Sequence, residues 1–176
     1  MTRPRADFSA GYIPRIVDAE LDDLIKELPA LWLDGPKAVG KTVTASQRAL
    51  TVRRVDRAPV REVAAVDADL ALAGQSPVLL DVWQRLAAVW DAVKAAVDAD
   101  GSPGRFLLTG SAASGTHSGA GRIKAVRMRP LTLPERGVAA STVSLQEMLG
   151  GQRPQVDGES DLNLGDHVDL ILGSGF

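Results

Sequence analysis

Gly35-Pro36-Lys37-Ala38-Val39-Gly40-Lys41-Thr42 places two glycines, a lysine and a hydroxyl in the pattern G-x-x-x-x-G-K-[ST]. The spacing has a chemical purpose. Glycines lack Cβ and tolerate unusual φ, so the backbone can wrap closely around phosphate oxygens. Its amide N–H groups then form an anion nest, and a following helix adds the positive end of its dipole. Lys41 is placed to reach β- and γ-phosphates, and Thr42 to offer its hydroxyl to Mg²⁺.

Further along, Pro77-Val-Leu-Leu-Asp81 is an apolar run ending in a carboxylate. Asp81 is a candidate second metal group beside Thr42, acting through water; the alternative is a strand-end cap for the next helix. Position 82 is valine. Valine cannot accept a proton, and loss of a general base commonly costs ~10²–10⁴ in rate. Thr109 and Ser111, after another apolar run, could hydrogen-bond a γ-phosphate or its water, or merely cap the strand. Arg122 follows a Gly/Ser-rich loop and is a candidate for stabilising charge in phosphoryl transfer; the plainer alternative is a surface ion pair. Arg122, Lys124, Arg127 and Arg129 are either a phosphate or DNA patch or a polar strand face. Asp56 is a candidate loop cap, His117 and His167 lack metal-ligand spacing, and Trp83 and Trp90 are candidate core residues.

These groups act together only if regular elements bring them to one place. Helical spacing predicts an amphipathic helix over 19–28, and helices over 41–50 and 59–72. Leu86, Val89, Trp90, Val93 and Val97 form the clearest helical stripe. Short apolar runs predict strands at 30–34, 51–55, 77–81, 105–109 and 123–128, and short helices are expected at 133–136, 144–149 and 166–172. Strands alternating with helices predict an α/β fold: a mostly parallel sheet covered on both faces. Such sheets bind ligands at the carboxyl ends of their strands, where the polar candidates lie. The expected organisation is an N-terminal arm (1–18), a phosphate-loop domain (19–140) and a C-terminal extension (141–176).

Composition bounds the rest. With 176 residues and no cysteine, the chain suits one domain without disulfides, thiolate chemistry or Cys-type zinc. A formal net charge of -2 disfavours wholesale nucleic-acid or membrane binding. The start lacks the apolar stretch of a signal peptide, and no apolar run approaches the ~20 residues of a membrane helix. Cytoplasmic residence is the resulting expectation.

Taken in order, Tyr12-Ile-Pro-Arg15, Gly35–Thr42, Pro77-Val-Leu-Leu-Asp-Val-Trp-Gln84, Leu107-Leu-Thr-Gly-Ser111, His117-Ser-Gly-Ala-Gly-Arg122 and Arg127-Met-Arg-Pro-Leu-Thr-Leu-Pro-Glu-Arg-Gly137 resemble the N-terminal ATPase part of bacterial AAA-type ATP-binding proteins that carry a C-terminal DUF4143 domain. The resemblance implies a three-layer P-loop NTPase fold of the ASCE type, ATP as the nucleotide, Walker A at Gly35–Thr42 and Walker B ending at Asp81. It also implies Asp-Glu where this chain has Asp81-Val82, and a C-terminal domain starting near Gly173-Ser-Gly-Phe176. The expected function is therefore a Mg-dependent ATPase coupled to a protein partner or to self-assembly. Val82 leaves open a non-hydrolysing ATP-binding switch or a degenerate remnant. A small-molecule kinase ranks last, for want of an arginine-rich lid.

Overall fold

Apolar strands such as Ala30-Leu-Trp-Leu need cover on both faces. The computed structural model, which describes residues 11–110, 121–137, 143–155 and 162–172, provides it. Its strands are β1 (Ala30–Asp34), β2 (Thr51–Arg54), β3 (Val78–Asp81), β4 (Phe106–Thr109) and β5 (Ile123–Arg127). They form one sheet in the order β2-β3-β4-β1-β5, and every pairing is parallel. The expected α/β architecture is observed. The strand order adds a feature: β4 lies between β1, which leads into the phosphate loop, and β3, which ends in Asp81.

Side chains alternate across a strand, and the two faces build two cores. On one face Trp32, Leu80 and Leu108 pack with Val89, Trp90, Val93 and Val97 of α5 (Ala87–Ala99) and Ala64 of α3 (Ala58–Val66). Trp32, Trp83 and Trp90 gather there, with ring centroids 4.8 to 5.9 Å apart. On the other face Leu31, Leu33, Leu79, Leu107 and Val126 meet Leu21 of α1 (Val17–Glu27) and Ala45 of α2 (Lys41–Ser46).

Several elements differ from expectation. The single helix expected over 59–72 is two, α3 and α4 (Asp69–Leu72), because the chain turns extended at Asp67. The Asp67 carboxylate then accepts from the Asp69 amide, 3.0 Å away. Helix α2 stops at Ser46, short of Leu50. Residues 133–136 form turns instead of a helix. Glu135 folds back to accept from the Thr132 amide and hydroxyl (2.7 and 2.9 Å), and Gly137 reverses the backbone at φ 70°.

The chain divides into two compact units, Met1–Arg129 and Pro130–Phe176. The second holds α6 (Leu145–Leu149) and α7 (Leu164–Leu172). Ser144 caps α6 by accepting from the Glu147 amide, and Asn163 and Asp166 cap the start of α7 reciprocally. Among the described residues no helix is long and apolar enough to cross a membrane.

Candidate phosphate-binding site

The loop between β1 and α2 is shaped by its neighbours as much as by its glycines. Gly35 sits at φ 149°, and a Cβ there would lie 2.3 Å from the Met128 carbonyl oxygen just beyond β5. Only glycine lets β1 turn into the loop beside β5. Ala38 and Gly40 also hold positive φ, 67° and 97°, the alternation that curls a backbone into an anion nest. Gly40 then leads into α2, whose first helical bond runs from the Thr44 amide to the Gly40 carbonyl (2.9 Å).

Lys41 is 8% exposed. Its ammonium donates to the Gly35 carbonyl at 2.8 Å and to the Pro36 carbonyl, so it lies folded across the mouth of its own loop. Burial pushes Lys41 below the usual lysine pKa, while the carboxylates of Asp34 and Asp81 pull the other way.

Strand order decides what faces α2. With β4 inserted beside β1, Asp81 arrives next to the start of α2, and the Thr42 hydroxyl donates to Asp81 Oδ1 at 2.7 Å. Thr109, in register with Asp81 on β4, donates to the same oxygen at 2.6 Å. Asp81 is 2% exposed, and a carboxylate this buried needs such donors. Val82 follows in the left-handed region, at φ 58° and ψ 40°, an outlying conformation for a β-branched residue. Its amide donates to the Thr109 carbonyl at 2.9 Å.

The structure thus gathers Gly35 to Thr42, Asp81 and Thr109 at one edge of the sheet. Ser111 and His117 lie outside the described residues. Arg122 is not brought to the loop, and its assignment as a charge-stabilising group acting within this chain is corrected. It precedes Ile123, which pairs with Ala30 at the amino edge, roughly 20 Å of strand from the loop. There it donates to Asp98 at 2.7 Å, near the carboxyl end of α5, where a cation offsets both the acidic side chain and the helix dipole. Lys124 and Arg127 are exposed on the edge strand, and Asp56 is exposed beyond β2.

Two contributors were given no role at the site by the sequence reading. Arg54 ends β2 in register with Asp81, its Nε 3.6 Å from Asp81 Oδ2. The available signal was position: the last residue of an expected parallel strand faces the same edge as Asp81. The second is the segment read as a polar arm. Arg15 is buried, donating to the Val39 carbonyl in the loop (2.9 Å) and to the Arg129 carbonyl beyond β5 (2.7 Å). Tyr12 supports it, its hydroxyl 2.9 Å from both Asp18 carboxylate oxygens and 3.2 Å from the Thr44 hydroxyl. Arg48 of the α2 side closes the network on Asp18 and Asp22.

A parallel sheet with this loop at its carboxyl edge defines a P-loop nucleotide-binding fold. Comparison with known families agrees: residues 27–136 match the family described as AAA domain. The chain belongs to this AAA family. It is also similar to the uncharacterized proteins Mb2031c of Mycobacterium bovis and Rv2008c of Mycobacterium tuberculosis, 29% identical to each over 171 residues. That match covers 92% of this chain and 38% of each relative, so the chain spans well under half their length.

Proposed function

We propose that this chain binds Mg-ATP in the Gly35–Thr42 loop and is an ATPase module whose hydrolytic step is slowed by Val82. One observation carries the reading: a hydroxyl and a carboxylate, Thr42 Oγ1 and Asp81 Oδ1, converge at 2.7 Å beside a buried loop lysine. Hard oxygen donors of this kind suit Mg²⁺, which characteristically takes one or two protein groups and completes its shell with phosphate oxygens and water. Bound there, Mg²⁺ would neutralise charge on the phosphates. Within this reading Thr42 and Asp81 hold the metal side, Lys41 turns from the Gly35 and Pro36 carbonyls to the β- and γ-phosphates, and the loop amides grip the phosphates. Thr109 holds Asp81 in place and can report the γ-phosphate through that shared carboxylate.

A second reading is favoured by one observation. Val82 occupies the position after Asp81 where a carboxylate would orient the attacking water, and its side chain cannot take a proton. The module then holds ATP as a switch. Cytoplasmic residence and coupling to a protein partner or to self-assembly belong to the same proposal.

The test is to trap labelled Mg-ATP on excess protein and identify the bound nucleotide over time. Retention is expected, weakened roughly a hundredfold in Lys41→Ala. Conversion to ADP is expected to be slow, and roughly a hundredfold faster in Val82→Glu. ATP that stays intact in both proteins selects the switch. No retention by folded protein removes the proposal.

A further inference from the structure

A row of three polar side chains crosses the sheet at its carboxyl edge. Register sets Arg54 opposite Asp81, and Asp81 opposite Thr109. Two residues earlier on the same strands, Val52, Leu79 and Leu107 pack in the core on the α2 side. Alternation therefore puts Arg54, Asp81 and Thr109 on the face that α2 and the phosphate loop occupy.

The two carboxylate oxygens of Asp81 are treated differently. Oδ1 accepts from Thr42 and Thr109. Oδ2 has the Arg54 Nε at 3.6 Å, an ion pair without hydrogen-bond geometry. That nitrogen is buried and makes no hydrogen bond to the described residues, while the Arg54 side chain as a whole is 41% exposed. Charge thus holds the guanidinium at the site, with no hydrogen bond from Nε among the described residues.

We propose that Arg54 is a cationic latch on Asp81, competing with the divalent metal for this carboxylate and supplying phosphate affinity when metal is scarce. This rests on the Mg-nucleotide reading and specifies how strongly that binding depends on Mg²⁺. Two cations that share one carboxylate repel each other, so removing one strengthens the other. A guanidinium is also suited to phosphate, because its planar fork of donors matches two oxygens at once. Arg54 therefore opposes the metal at Asp81 while supporting the anion that the metal accompanies. A purely structural arginine would not produce effects of opposite sign.

The experiment uses the full chain and a non-hydrolysable ATP analogue, titrated by calorimetry in EDTA and over a series of Mg²⁺ concentrations. Arg54→Gln is expected to bind the analogue about fivefold more weakly in EDTA. It should also reach half-maximal Mg²⁺ stimulation at about threefold lower Mg²⁺, as suits a pair whose arginine is partly screened by solvent. Arg54→Lys, which keeps the charge, should lie between wild type and Arg54→Gln on both measures. If Arg54→Gln loses its far-UV signal, Arg54→Met carries the same comparison with the aliphatic stem retained. Equal weakening with and without Mg²⁺, or no change in either, overturns the latch while wild-type binding leaves the nucleotide reading intact. A folded wild type that binds no analogue under any condition overturns both.

Discussion

The sheet has an arginine–aspartate pair at each end, and the two pairs differ in a way that distance alone would misjudge. At the amino edge Arg122 and Asp98 are 2.7 Å apart, with side chains 53% and 50% exposed. At the carboxyl edge Arg54 and Asp81 are 3.6 Å apart, with side chains 41% and 2% exposed. The shorter pair sits in solvent, where water screens both charges and ordering two long side chains offsets most of the gain. The longer pair has a carboxylate withdrawn from water, which must be satisfied by neighbours. Asp81 is satisfied by two hydroxyls and a guanidinium from three other elements. A withdrawn, multiply held carboxylate can act on a ligand; an exposed one mainly tidies a helix end.

Substitutions that distinguish the edges should follow the same order. The largest effect is expected at Arg15. Arg15→Ala leaves the Val39 and Arg129 carbonyls without this donor, costing about 2 kcal/mol in urea unfolding. Nucleotide affinity should fall about tenfold as the loop loses its brace. Stability loss without any affinity loss would show that the carboxyl edge tolerates a loosened loop.

Val82 tests the same edge in the opposite direction. At φ 58° a β-branched residue is strained, whereas asparagine tolerates the left-handed region. Val82→Asn should therefore stabilise the protein by about 1 kcal/mol in the same unfolding assay. A destabilised variant would mean that the valine side chain contributes packing greater than its strain. The smallest effect belongs to the amino edge. Arg122→Ala should shift stability by no more than about 0.5 kcal/mol and leave nucleotide affinity unchanged. An affinity loss there, with the fold intact, would break the contrast between the edges and return Arg122 to the site.

The legibility of these features follows the same division. The loop residues were readable because their chemistry is set by spacing within eight neighbours, and Asp81 because an apolar run ended in a carboxylate. The strands and α5 were readable because each carries its own periodicity, as Val89, Trp90, Val93 and Val97 show. The helix break near Asp67 was missed because a side-chain cap competed with helical propensity. Arg54, Arg15 and the displacement of Arg122 were missed for a different reason. Each depends on which strand or loop lies alongside, and no local pattern reports that.

By itself, then, the sequence determined a phosphate loop between a strand and a helix, a carboxylate at a later strand end, and alternating elements that require a parallel sheet. These are consequences of backbone sterics and local apolar periodicity, which act over a few residues. Tertiary structure alone decided that β4 separates β1 from β3, so that Asp81 meets Thr42. It also decided that Arg15 bridges the loop and the exit of β5, and that register aligns Arg54 with Asp81 while leaving Arg122 at the far edge. Strand order and register are settled by hydrogen bonding and burial between segments distant in the chain, where the whole core must be satisfied at once.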